Sequence, residues 1–164
     1  MKLLLILLPL LLSANYYKDY AKLDQSQRDV IQYAFYFGKP YNLSWTLAAK
    51  VWEESDAGEI VISEGINWRG ARDYGIAQIN IYWFLKSRHT AYTKANIAKF
   101  ASKLVRDDEY CLQAAIDNIK RWQLRYPTNY MEVWAHYNGG NTPNYNYAKR
   151  IAKRIQVLRQ HIKQ

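Results

Sequence analysis

Residues 44–55 read SWTLAAKVWEES, and the interpretation of the whole chain starts from this stretch. It has the composition of a helix, with no Gly or Pro and with apolar residues at three- and four-residue spacing. Leu47, Val51 and Glu54 stand at positions i, i+4 and i+7, so a helix places all three on one side. The sequence therefore predicts a carboxyl group at the edge of an apolar helix face.

A carboxyl group in that position loses solvation, which disfavours its charged form and suits a general acid. The same spacing also fits a buried glutamate that caps backbone groups or pairs with an arginine, so Glu54 alone does not decide between these roles. Glu53 shares the other side of the helix with Thr46 and Lys50, and we expect it to be an ordinary solvated residue.

Outward from this helix, helical periodicity continues without a linker, a repeat or a low-complexity run. The pattern predicts a single, mainly α domain, with Asn42 or Ser44 as the N-cap of the helix that carries Glu54. Basic residues on the last helix are expected to form a solvated face: Lys149, Arg150, Lys153, Arg154 and Arg159. The other helices are predicted over residues 16–37, 81–84, 93–104, 107–126, 128–137 and from 145 onward.

Residues 56–80 are the least helical part of the chain and contain four of its seven glycines. This segment can hold a small β-hairpin, and irregular segments of this kind often carry functional sites. If Glu54 belongs to a glycosidase pair, the spacing does not choose the second carboxylate. The candidates are Asp56, Glu59, Glu64 and Asp73.

Composition and charge restrict the class of protein. A hydrophobic fraction of 49% with only 7 Gly and 4 Pro excludes a disordered tail and a collagen-like fibre, and a mean hydropathy of −0.43 excludes a polytopic membrane protein. The formal net charge of +9 favours anionic partners such as nucleic acid, acidic lipid or a cell-wall polymer.

The chain begins with Met1-Lys2, an apolar run over residues 3–12 and then Ser13-Ala14. We interpret residues 1–14 as a signal peptide, because the apolar run is shorter than a membrane span and is followed by small residues. An uncleaved anchor is the alternative. Export predicts a periplasmic or secreted protein, with no integral membrane segment after cleavage.

The single cysteine, Cys111, excludes an internal disulfide and is expected to be a small buried apolar residue. His89, His136 and His161 lack the spacing of metal ligands, so we predict neither a metal nor a cofactor.

Three short motifs occur in order along the chain: Glu54-Ser55 at a helix end, Asp73-Tyr74-Gly75-Ile76-Ala77-Gln78-Ile79-Asn80, and Tyr137-Asn138-Gly139-Gly140. Together they resemble the lysozyme-like lytic transglycosylases (SLT domain), and are most similar to the small exported members that accompany bacterial secretion and conjugation systems. The resemblance covers roughly residues 40–160. It divides the chain into the leader 1–14, an N-terminal helical segment 15–40 and a lysozyme-like domain 41–164, of α+β type with a substrate cleft.

The resemblance implies a role for each matching residue. Glu54 would be the single catalytic acid and base, with Ser55 orienting it or binding sugar. Saccharide contacts are implied for Asp73, Tyr74, Gly75, Ile76, Ala77, Gln78, Tyr137, Asn138 and Tyr147.

The implied reaction is cleavage of the β-1,4 bond between N-acetylmuramic acid and N-acetylglucosamine, with closure of a 1,6-anhydro ring and no use of water. Peptidoglycan glycan strands would be the substrate, and a secretion or conjugation apparatus a possible partner.

Two other functions remain open. The middle motif also resembles animal-type lysozymes, where the residue matching Asp73 is the second carboxylate, so a hydrolytic muramidase is the first alternative. Against this alternative, those lysozymes carry several disulfides, whereas this chain has a single cysteine and can form none internally. The second alternative is a non-catalytic wall-binding protein. A basic nucleic-acid binder is disfavoured by the leader, and we predict no nucleic-acid partner.

Overall fold

The computed structural model describes residues 20–66 and 70–163. Over these residues the chain is mainly helical with one two-stranded antiparallel sheet, which confirms the predicted mainly α class and its small hairpin. Short 3-10 turns lie at Tyr20–Lys22 and Lys39–Tyr41. The α-helices are α1 (Gln25–Phe37), α2 (Ser44–Ser55), α3 (Ile81–Ser87), α4 (Lys94–Arg106), α5 (Asp108–Gln123), α6 (Tyr130–Gly139) and α7 (Tyr145–His161).

Helix α1 lies inside the segment 16–37 that was predicted to hold it, and it ends at Phe37 as expected. Asp24 accepts a hydrogen bond from the Gln27 backbone, and the Gln27 side chain accepts one from the Asp24 backbone. This capping box starts the helix at Gln25.

The N-terminus of α1 also holds the chain just beyond Glu54. Gln27 is buried, and its Nε2 donates to the backbone oxygen of Asp56 at 2.9 Å. Asp56, Ala57 and Gly58 all have positive φ, at 50°, 59° and 94°, so the chain turns sharply where α2 ends. Helix α1 is therefore packed into the same unit as the helix that carries Glu54.

Helix α2 is the central element of the core. Helices α1 and α7 pack against it, and Leu47 and Val51 are fully buried, as their spacing predicted. Neither Asn42 nor Ser44 caps the helix: Leu43 is the N-cap residue, and Asn42 adopts a left-handed conformation that ends the preceding 3-10 turn.

The hairpin lies inside the predicted segment 56–80. Strand β1 (Asp73–Tyr74) pairs with β2 (Ile79–Asn80), with Asp73 opposite Asn80. Between them, Gly75 has φ +76°, and a Cβ built on it would lie 2.2 Å from the Leu104 carbonyl oxygen and 2.5 Å from Cys111 Sγ. The turn can therefore approach α4 and α5 only because residue 75 has no side chain.

Buried Cys111 packs under this turn, where the Ala77 amide donates to its sulfur at 3.4 Å and the thiol lies 3.8 Å from the Tyr74 carbonyl oxygen. Burial raises the pKa of the thiol to about 11, which agrees with the predicted role as a small buried residue.

The predicted signal peptide, residues 1–14, lies outside the described residues. Within residues 20–66 and 70–163, no helix has the length and apolar character needed to cross a membrane.

We predict that Gly75→Ala destabilises the fold by about 3 kcal/mol or more, because a left-handed backbone and a blocked Cβ position act together. Gly70→Ala is the matched control: its φ is +71°, but nothing lies within 4 Å of the added Cβ. It should cost about 1–2 kcal/mol. Urea unfolding measures both, and equal losses would contradict the proposed close approach.

Candidate active site

A buried lysine organises the surroundings of Glu54. Lys50 is 1% exposed, and its Nζ donates to Glu54 Oε1 at 3.1 Å and to the Ala77 carbonyl oxygen at 2.6 Å. The ammonium also stands 4.2 Å from the centre of the Tyr137 ring. One cation thus joins α2, the hairpin turn and α6.

Both hydrogen bonds to Glu54 converge on the same carboxylate oxygen. The Tyr147 hydroxyl donates to Oε1 at 2.7 Å, across 93 residues of sequence, and Lys50 donates to that oxygen as well. Among the described residues, no group is hydrogen-bonded to Oε2. The side chain of Glu54 is 16% exposed, so the carboxyl group is largely enclosed but reaches solvent.

Charge and burial shift the pKa values of the groups around Glu54. Burial acts to lower the pKa of Lys50, but Glu54 and Tyr137 outweigh it and the pKa is raised above its ordinary value. Burial raises the pKa of Tyr137 to about 12, and burial together with Glu54 raises that of Tyr147 well above 10.0. Lys50 is therefore a cation at neutral pH, and both tyrosines keep their protons.

Asp73 belongs to the same electrostatic environment. Burial raises the pKa of Asp73, the Asn80 amide opposes this by donating to Asp73 Oδ1 at 2.7 Å, and the charge of Glu54 raises it further. The two carboxyl groups therefore interact, although the partner that Asp73 contacts directly is Asn80 on the facing strand.

Glu53 is not the solvated residue that its helix position predicted. Its side chain is 10% exposed and accepts hydrogen bonds from the Nε atoms of Arg150 and Arg154 on α7. Lys50 and Thr46, on the same side of α2, are buried too. The expectation is wrong because α2 is covered on nearly all sides, and its polar residues find partners within the interior.

The predicted solvated basic face of α7 needs the same correction. Lys149, Lys153 and Arg159 are exposed, but Arg150 is half-buried and Arg154 is buried. Arg154 also lies over the Trp52 ring, 4.3 Å from its centre.

The middle motif turns most of its residues inward. Gly75, Ile76 and Ala77 are buried, and the Ala77 backbone is engaged through its oxygen by Lys50 and through its nitrogen by Cys111. Of the backbone contacts to a saccharide that the resemblance implied, those of Ala77 are therefore already taken by internal partners.

The Gln78 amide is also committed, donating to the backbone oxygens of Ile60 at 2.8 Å and Gly75 at 3.0 Å. Half-buried Tyr74 pairs with Ile79 across the hairpin. Gln78 and Tyr74 therefore stabilise the hairpin.

Ser55 is completely buried. Its hydroxyl donates to the Val51 carbonyl oxygen at 2.9 Å and accepts from the Gly58 amide at 2.9 Å. It thereby closes the C-terminal end of α2. The expected contact of Ser55 with sugar or with Glu54 is replaced by this structural role.

The third motif splits into an inner and an outer part. Tyr137 lies under Lys50, whereas Asn138 is exposed and its Oδ1 accepts from Asn144 Nδ2 at 2.8 Å. Tyr147 was expected to contact the saccharide, but it is buried and holds Glu54 instead. Of the predicted contact residues, Asn138 is the one that presents its side chain most openly to solvent.

The geometry brings the three motifs together, but no family has been matched to the chain. Models of known protein families, curated proteins and solved structures were compared with it, and none matched. The family resemblance thus remains a prediction from the motifs, and so does its substrate cleft.

A surface depression lies elsewhere, at the end of α7, and Trp45 lines it on the α2 side. Trp45 and Glu54 are nine residues apart on α2, about 13 Å along the helix. In the part of the chain that the structure describes, no group of three His, Cys, Asp or Glu side chains is placed to hold a metal ion.

Lys50 lies outside the three motifs and was not among the predicted site residues. A signal was present, because Lys50 and Glu54 are four residues apart and therefore neighbours on a helix surface. That spacing is common in exposed ion pairs, and only the burial of α2 distinguishes this pair from them.

We predict that Glu53→Gln lowers the free energy of unfolding by about 2 kcal/mol or more, because two arginines lose their shared anionic partner in a largely buried setting. The control is Asp117→Asn, which removes the exposed partner of Arg88. It should change stability little. Urea unfolding measures the stability of both variants. If Glu53→Gln is as stable as the control, the interaction of Glu53 with the two arginines contributes nothing to stability.

Proposed function

We propose that the protein is a peptidoglycan lytic transglycosylase that cleaves the bond between N-acetylmuramic acid and N-acetylglucosamine. Glu54 is its single general acid and base, and the product ends in 1,6-anhydro-N-acetylmuramic acid. The observation that carries the proposal is the convergence of all three motifs on the Lys50 ammonium, which binds the Glu54 carboxyl group.

Each of the three motifs contributes one residue to this cluster of contacts. Glu54 comes from the first motif, Ala77 from the second, and Tyr137 from the third, and the Lys50 ammonium contacts all three. Tyr147, from the helix after the third motif, fixes the carboxylate directly. A chain that served only as a helical scaffold would not need an enclosed carboxyl group whose Oε2 accepts no hydrogen bond from any residue that the structure describes.

In the proposed reaction, protonated Glu54 gives its proton from Oε2 to the glycosidic oxygen while the bond from that oxygen to the muramic C1 breaks. The bonding electrons leave with the oxygen. The positive centre at C1 is stabilised by the substrate's own acetamido group or by the surrounding field. Glu54, now a carboxylate, takes the proton of the muramic C6 hydroxyl as O6 bonds to C1, so that no water is consumed.

The proposed setting follows from the leader and the charge. Export by residues 1–14 would place the protein in the periplasm or outside the cell, where peptidoglycan lies, and a net charge of +9 suits a polymer that bears peptide carboxylates. Association with a secretion or conjugation apparatus is part of the same proposal, because the motifs most resemble exported enzymes that serve such systems.

A hydrolytic muramidase is the second candidate, favoured by one observation. Glu54 and Asp73 interact electrostatically, as the two carboxylates of a glycosidase pair do. The direct partner of Asp73 is nevertheless Asn80, and its placement in a strand pair gives it a structural role that needs no reaction chemistry.

We predict that Glu54→Gln reduces muropeptide release from purified sacculi below detection, because glutamine can accept the two hydrogen bonds but cannot transfer a proton. Glu109→Gln is the control, a conservative change of an exposed glutamate on α5. Mass analysis of the wild-type products should find ends about 18 Da lighter than hydrolytic ones, the mass of one water, as the ring closure requires. Binding to sacculi without any release by the wild type would point instead to a wall-binding protein.

Asp73→Asn separates the two enzymatic candidates. A raised pKa means that the folded protein holds the Asp73 proton more tightly than the unfolded chain does, so this contribution favours folding at low pH and is lost as pH rises through the folded value. At pH 7 the buried charge is a cost, and the variant should be at least as stable as the wild type. It should also release anhydro products. A stable variant with no activity would favour the hydrolase.

A further inference from the structure

Lys50 is unusual because its charge lies in the interior. A lysine that is 1% exposed must be compensated by partners, and this one has three: a carboxylate, a backbone carbonyl and an aromatic ring. The carbonyl and the ring would hold the ammonium in place without Glu54. Its position therefore depends on the fold as well as on the carboxylate.

We propose that Lys50 is a positioning residue of the active site: with Tyr147 it fixes Oε1 of Glu54, leaves Oε2 as the oxygen that exchanges the proton with substrate, and supplies the countercharge when that proton departs. This inference rests on the function proposed above and assigns a role to a residue outside the three motifs.

The geometry makes the two oxygens of Glu54 inequivalent. Oε1 accepts from Lys50 at 3.1 Å and from Tyr147 at 2.7 Å, whereas Oε2 has no hydrogen-bond partner within the described ranges 20–66 and 70–163. A proton is held least well on the oxygen that already accepts two donors, one of them cationic. The transferable proton therefore resides on Oε2.

The charge of Lys50 has opposite effects on the two halves of the reaction. It stabilises the carboxylate that forms when Glu54 gives up its proton, so it assists bond cleavage. In the second half it works against the carboxylate as it takes the proton of the C6 hydroxyl.

The other titratable groups around Glu54 do not replace this charge. Tyr137 on α6 and Tyr147 on α7 remain neutral because burial raises the pKa of each. Asp73 on β1 repels the Glu54 charge, and buried Cys111 on α5 keeps its proton because its pKa is raised to about 11. Glu53 and its two arginines form a separate ion pair network between α2 and α7.

The test compares the pH profiles of muropeptide release by the wild type, Lys50→Gln and Lys50→Met. Glutamine keeps a donor for the Ala77 oxygen, whereas methionine keeps only the approximate volume. Lys103→Gln is the matched control, since Lys103 also lies over a tyrosine, 4.0 Å from the centre of the Tyr110 ring, but is exposed on α4.

For both Lys50 variants we expect the alkaline limb of the profile to move upward, because the cation that favours the Glu54 carboxylate is gone. The maximal rate should fall on the order of a hundredfold. Lys103→Gln should retain the wild-type profile. Melting curves at each pH separate these effects from loss of folded protein, and Lys50→Gln is the variant to use if Lys50→Met does not fold.

The outcomes separate the inference from the function on which it rests. If the wild type releases no muropeptides, the proposed function fails. If the wild type is active and folded Lys50→Gln shows an unshifted alkaline limb, the positioning role of Lys50 is overturned while the function stands. A limb that moves equally in Lys103→Gln would also overturn it, because a general change of surface charge would then explain the shift.

Discussion

The structure depends on the compensation of one interior positive charge. An ammonium group removed from water costs several kcal/mol unless its protons find acceptors, and Lys50 finds one on its own helix, at Glu54, and another in the hairpin turn, at Ala77. The hairpin turn must bring the Ala77 carbonyl to it, α6 must place the Tyr137 ring beside it, and Glu54 must stay on its side of α2. The same contacts therefore determine both the packing of these elements and the geometry of the site.

A second buried network supports the first. Glu53 binds Arg150 and Arg154 and so joins α2 to α7, the helix that also carries Tyr147. The two neighbouring glutamates consequently have separate partners. Glu53 fixes α2 against α7, and this packing places the Tyr147 hydroxyl within hydrogen-bond distance of Glu54. An exchange of their roles would need a different rotation of α2 about its axis.

The sequence was sufficient to predict the helical class, the hairpin segment and the inward position of Leu47 and Val51, because periodicity and glycine content report local structure directly. It also singled out Glu54 as a residue of interest. It failed for Glu53, Lys50 and Arg154, whose charges normally indicate solvent, because burial of a charge depends on partners supplied by distant helices. It likewise could not show that the Ala77 carbonyl is occupied by an internal hydrogen bond, since the partners of a backbone group in a loop are set by tertiary packing.

Through the hydrogen bond from Gln27 to the Asp56 carbonyl, helix α1 stabilises the turn after Glu54, although α1 lies outside all three motifs. The motifs begin after residue 40, yet the three left-handed residues that follow Ser55 are anchored by an amide that precedes them. A truncated protein starting at the motif-bearing region would expose the face of α2 that α1 covers and would release the turn directly after Glu54. Helix α1 and the motif-bearing region are therefore packed as one unit, and domain boundaries drawn from the motifs alone would divide it.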